Sequence, residues 1–154
     1  MDGNTLYIAN AGLNNVRACS IDPTMSGLGT CTDIRMSSKG VKVQGITING
    51  DWLYITYTET NNVFKCRLAT LTTTGTSPCE KSGADLLTNP MNLAFSNDGF
   101  AYITSAQRLI TSAQRLIDQS VVRCTVDATA PRALSARSTS SLRALSSLLP
   151  PQAP

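Results

Sequence analysis

Val43-Gln44-Gly45-Ile46-Thr47-Ile48, the turn Asn49-Gly50, Trp52-Leu53-Tyr54-Ile55-Thr56, the turn Asn61-Asn62, then Val63-Phe64-Lys65-Cys66-Arg67-Leu68 and a Gly/Thr/Ser loop ending at Cys79 form the stretch that decides the architecture of this chain. Its runs of five or six residues, rich in β-branched and aromatic side chains and bounded by Asn and Gly, read as short antiparallel strands joined by tight turns. Alternation assigns faces: Trp52, Tyr54 and Thr56 oppose Leu53, Ile55 and Tyr57, and Phe64, Cys66 and Leu68 oppose Lys65 and Arg67. Apolar residues occur on both faces of the second strand, the pattern of a sheet covered from both sides.

Working outward, the segments before and after are imperfect copies. Asp2 to Ala9, Asn14 to Ile21 and Gly29-Thr30-Cys31 repeat it on the amino side: Tyr7 falls 47 residues before Tyr54, Asn14-Asn15-Val16 47 before Asn61-Asn62-Val63, and Cys19 47 before Cys66, while Cys31 lies 48 before Cys79. On the carboxyl side come Pro90 to Ser96, the turn Asn97-Asp98-Gly99, Phe100 to Thr104, and later Val121 to Asp127. Tyr102 sits 48 residues after Tyr54, whereas Cys124 sits 58 after Cys66. Most of that excess is a tandem duplication, Ile103 to Leu109 repeated letter for letter as Ile110 to Leu116. The duplicated segment reads as a loop excursion with a helical turn or two. A fixed period of this length marks stacked supersecondary units.

Composition agrees with a folded β chain. The 154 residues are 42% hydrophobic and 15% charged, enough for one domain with one core. The net charge of +3 is confined to the end: residues 1–127 hold ten Lys/Arg and ten Asp/Glu, and the surplus is Arg132, Arg137 and Arg143. Three scattered arginines lack the clustered basic face of a nucleic-acid binder, so none is expected. No run of 18 apolar residues is present, so no membrane span is expected, and Met1 to Thr5 lack the basic and apolar regions of a secretory signal. After Asp127 the chain turns to Ala, Arg, Ser, Leu and Pro, which reads as a low-complexity tail over 128–154, disordered or partly helical.

Leu6-Tyr7-Ile8-Ala9-Asn10 followed by Asn14-Asn15-Val16, and Ser96-Asn97-Asp98-Gly99 followed by Ala101-Tyr102-Ile103-Thr104, resemble the YVTN type of β-propeller repeat, to which lactonase-like and NHL-like propellers are similar. The resemblance covers about residues 2–127. It implies an all-β fold, a partial β-propeller of about three blades at roughly 2–34, 43–80 and 90–127, with the opening strand of the first blade missing. Because propeller rings hold about four to eight blades, the chain is expected to be a fragment of a larger product, with self-association through open blade faces as another way of covering them.

The cysteines follow the repeat. Cys19 with Cys31 and Cys66 with Cys79 occupy equivalent places on neighbouring strands, so two bridges, one inside each unit, are expected, with Cys124 left single; five reduced core cysteines are the competing reading. Bridges imply an oxidising compartment, and hence an extracellular or cell-surface location for the full-length protein. With no histidine and no CxxC, the usual zinc sites and the Ser-His-Asp arrangement are excluded. The resemblance to lactonase-like propellers implies a central divalent metal held by Asp, Glu and Asn. The groups here are Asp51, Glu59, Asn62, Asn97 and Asp98, and turn chemistry accounts for most of them. The reading is therefore a non-catalytic scaffold without a cofactor, binding a protein or carbohydrate partner. A lactonase-like hydrolase and a truncated product without an independent role are the alternatives.

Overall fold

The computed structural model describes residues 3–22, 24, 27–36, 42–82, 87–97, 99–111, 114–126 and 134–137, with 106–111, 114–120, 125 and 134–137 described by their backbone. It is all-β, and among the described residues the one helical piece is a single 3-10 turn at Leu68–Thr70. Among the described residues twelve strands make three four-stranded sheets. The first contains β1 (Thr5–Asn10), β2 (Asn15–Ile21) and β3 (Leu28–Met36). The second contains β4 (Val43–Asn49), β5 (Trp52–Tyr57), β6 (Asn62–Arg67) and, after the short β7 (Thr76–Ser77), β8 (Cys79–Lys81). The third contains β9 (Pro90–Phe95), β10 (Phe100–Thr111), β11 (Gln114–Val126) and β12 (Leu134–Arg137).

The three sheets share one register. Tyr7 pairs with Ala18, Tyr54 with Lys65 and Tyr102 with Arg123, in each case the residue before the third-strand cysteine. The cysteines themselves face Leu6, Leu53 and Ala101 across the same ladder. Pairing of Asn49 with Trp52 leaves Gly50 and Asp51 as a two-residue hairpin loop, and Gly50 takes the φ of +57° that such a loop needs.

Burial follows the alternation read from sequence. Leu53, Ile55 and Tyr57 join Val16, Val43 and Cys66 in a cluster between the first and second sheets, with Tyr7, Met36, Ile46, Ile48 and Phe64 around it. Tyr54 on the opposite face joins Val63, Leu93, Ala101, Ile103 and Cys124 between the second and third, with Trp52, Phe95 and Val122 around it. The middle sheet is thus covered from both sides, which is why both faces of β5 are apolar. At Gly45 two backbones meet: a Cβ there overlaps the Met91 carbonyl and lies 3.0 Å from the Asn92 Cα, so only glycine lets β9 approach β4.

Three elements differ from their sequence-based expectation. The duplicated segment is not a loop with helical turns; β10 and β11 continue as one hairpin, paired without interruption to Thr111 and Gln114. An insertion near a hairpin tip lengthens both arms, and alternate residues of the added arms exchange backbone hydrogen bonds across the ladder. Within the tail, Leu134–Arg137 form the fourth strand of the third sheet and pair with β11, while 138–154 lie outside the described residues. In the first sheet, the place next to β3 is taken by β7 from the following unit, which runs parallel, Arg35 opposite Thr76 and Met36 opposite Ser77.

Candidate functional site

Both expected bridges are present. Cys19 is bonded to Cys31 and Cys66 to Cys79, each pair directly opposite in its ladder, with Cα atoms 4.0 and 4.4 Å apart. Facing positions of antiparallel strands hold Cβ atoms close enough for this. Met36 of the first sheet places its sulfur 3.5 Å from Cys79 Sγ and 3.8 Å from Cys66 Sγ, so the second bridge also contacts the neighbouring sheet. Cys124 is free and buried, and burial pushes its thiol up to about 11. Ala136 stands opposite Cys124, at the position where the other two sheets carry their second cysteine.

The groups considered for a metal do not converge. Asp51 lies in the turn before β5 and Glu59 in the turn after it, so the six-residue strand separates them by roughly 20 Å at about 3.3 Å per residue. Glu59 is 3.9 Å from Lys42, Asn62 Nδ2 donates to the Thr60 carbonyl at 2.6 Å, and Asn97 sits in the β9–β10 turn of another sheet. Asp98 lies outside the described residues. Among the described residues no three His, Cys, Asp or Glu side chains stand together as metal ligands.

Two other devices recur from sheet to sheet. Asn14 and Asn61 both adopt φ of +53°, in the left-handed region that asparagine tolerates. Each side chain reaches forward: Asn14 Oδ1 accepts from the Val43 amide at 3.0 Å, and Asn61 Oδ1 from the Asn89 amide at 2.7 Å. A turn in one sheet therefore holds the beginning of the next. The second device is a cation over an aromatic ring. Lys65 Nζ lies 4.8 Å from the Trp52 ring centre, and Arg123 lies 3.5 Å from that of Phe100, the equivalent pair one unit on. Lys65 is 3% exposed and 3.2 Å from Glu80, which sequence alternation alone did not reveal. The signal was there in the neighbours, since Val63 and Trp52 share its face.

The surface offers polar grooves. The larger, about 640 Å³, runs between β3 and the loop before β7, lined by Thr32, Asp33, Arg35 and Thr73 to Thr76. Asp33 accepts from Arg17 Nε at 2.8 Å, and that bond holds its carboxyl below the usual range. Hydroxyls, one carboxylate and one guanidinium suit hydrogen-bonded recognition. A second groove, about 280 Å³, is lined by Tyr7, Ile46, Thr47, Ile48 and Leu53, and the surface it exposes is mostly polar. The sequence matches no protein-family model, and no curated protein is similar to it at a significant level.

Proposed function

We propose that the three sheets are successive blades of a YVTN-type β-propeller, and that the chain serves as a non-catalytic scaffold whose loops and edges bind a protein partner. The observation that carries this reading is the common register: three tyrosines, three third-strand cysteines and two turn asparagines recur at matching ladder positions. Repeats of that kind build rigid surfaces whose loops do the binding. The two bridges support an oxidising compartment and hence an extracellular setting. Dispersal of these groups, Asp51 at one end of β5, Glu59 and Asn62 about the turn at its other end and Asn97 in a different sheet, favours the scaffold over a lactonase-like hydrolase with a central metal. The discriminating experiment screens lactones with and without added divalent cations while following the thermal midpoint. A scaffold gives neither turnover nor a metal-dependent shift; saturable, metal-dependent lactone hydrolysis overturns the reading.

A further inference from the structure

From the end of the 3-10 turn through β7 the chain reads Thr70-Leu71-Thr72-Thr73-Thr74-Gly75-Thr76-Ser77-Pro78, and six of its first eight residues carry a hydroxyl. Dense Ser and Thr followed by Pro is the composition of chain that receives O-linked sugars. The six hydroxyls are not equivalent. Thr70 Oγ1 donates to the Arg67 carbonyl at 2.9 Å, and the Oγ1 atoms of Thr72 and Thr74 share a bond of 3.2 Å. Ser77 is buried, and its Oγ accepts from the Thr72 amide at 2.9 Å. Thr76 belongs to β7, its backbone set opposite Arg35. Thr73 is the one of the six that is exposed, outside helix and strand, and without a hydrogen bond among the described residues. Its setting is held from both ends: the Leu71 amide donates to the Leu68 carbonyl at 3.2 Å, Ser77 binds Thr72, and the Cys66–Cys79 bridge closes the segment. Thr73 also lines the 640 Å³ groove, across which stand Thr32, Asp33 and Arg35 of β3. Arg35 is exposed and has no ion-pair partner among the described residues.

We propose that Thr73 is an O-glycosylation site and that the attached sugars lie in this groove. Thr73 Oγ1 attacks the anomeric carbon of a sugar that a transferase holds as its nucleotide diphosphate or lipid phosphate ester. The new carbon–oxygen bond replaces the one to phosphate, which leaves with the electron pair, and the hydroxyl proton passes to a base of the transferase. Sugar hydroxyls both donate and accept, which matches the Asp33 carboxylate, the Arg35 guanidinium and the Thr32 hydroxyl on the opposite wall. The groove falls in the range of about 300–1,000 Å³ that holds small ligands, room for a short glycan. The inference rests on the extracellular setting, since such transferases meet chains in the compartment where bridges form. It assigns the groove an occupant carried by the chain itself.

The test secretes the intact chain from a eukaryotic host behind a cleavable signal and weighs the product. Its mass is expected to exceed that of the sequence by whole hexose or N-acetylhexosamine residues, and electron-transfer fragmentation places them on Thr73. Because the sequence holds no Asn-x-Ser/Thr acceptor, the added mass reports O-linkage, and alkaline β-elimination removes it. Thr73→Val lowers the modified fraction about tenfold, Thr73→Ser restores it, and Thr70→Val leaves it unchanged. Enzymatic removal of the sugars lowers the thermal midpoint of the parent but not that of Arg35→Ala modified to the same extent. A sugar-free product with both bridges formed overturns the proposal, as does modification that survives Thr73→Val. Equal midpoints with and without sugar in the parent overturn the placement in the groove. A product lacking the four-hydrogen mass deficit of two bridges sinks the extracellular setting and this site with it. Lactone turnover sinks the scaffold reading and leaves the site standing.

Discussion

Single residues carry three consequences that can be measured. The Lys65 ammonium is enclosed between Trp52 and Glu80, and removing its counter-charge leaves a buried cation without compensation. Glu80→Gln is expected to cost about 1–2 kcal/mol in urea unfolding, below the loss for a fully enclosed pair because Glu80 is half exposed. Lys65→Met, which removes charge and desolvation together, should stay within about 1 kcal/mol of the parent; equal losses from both variants contradict the account. Gly45→Ala forces a methyl against the Met91 carbonyl and is expected to cost about 1–3 kcal/mol by the same assay. Cys124 supplies a pH dependence. Its native thiol is held neutral up to about 11, against an ordinary value of 9.0, so between those limits the unfolded chain binds fewer protons. The stabilisation is complete below about pH 9 and falls as pH rises toward 11, and Cys124→Ala should flatten that slope in denaturation curves. At this scale the sequence was partly legible. Alternation assigned Phe64 and Cys66 correctly, but it speaks only of faces, and the enclosure of Lys65 depends on Trp52 and Glu80 from the strands on either side of β6.

Elements show why some boundaries were readable and others were not. Tight turns such as Asn49-Gly50 announce themselves through residues that accept positive φ, and β4, β5 and β6 fall where those signals stand. The duplicated Ile103-to-Leu116 segment misled because Ser, Ala, Gln and Arg serve in a helix as readily as in a hairpin, and pairing across the ladder decided the matter. β12 escaped notice for a related reason: Leu-Ser-Ala-Arg has little strand character, and β11 supplies the edge on which it pairs. Its register makes a prediction. Since Ala136 stands opposite Cys124 as Cys31 stands opposite Cys19, Ala136→Cys refolded in air should lose six hydrogens relative to its fully reduced form and gain about 2–3 kcal/mol. An unbridged introduced thiol places β12 in another register.

For the molecule as a whole, the repeat was legible and its mode of assembly was not. Near-equal spacing of the three tyrosines and of Cys19 and Cys66 foretold sheets of matching register; nothing in those spacings foretold that β7 lends itself to the preceding sheet, or that Met36 lies against a bridge of the following one. Those links add to the apolar faces and the Asn14 and Asn61 hydrogen bonds that join successive units. Cys19–Cys31 ties β2 to β3, and Cys66–Cys79 ties β6 to β8 and touches Met36 of the preceding sheet, so reduction should loosen both sheets: dithiothreitol is expected to lower the thermal midpoint, and the unreduced mass should be four hydrogens below the reduced one. An unchanged midpoint after complete reduction contradicts a structural role for them. The forward reach of Asn14 and Asn61 has a temporal meaning as well. The acceptor oxygens precede the amides they hold by 29 and 28 residues, so each leaves the ribosome before its partner. A permuted gene that delivers the amide first reverses the order in which the two partners of each bond are made.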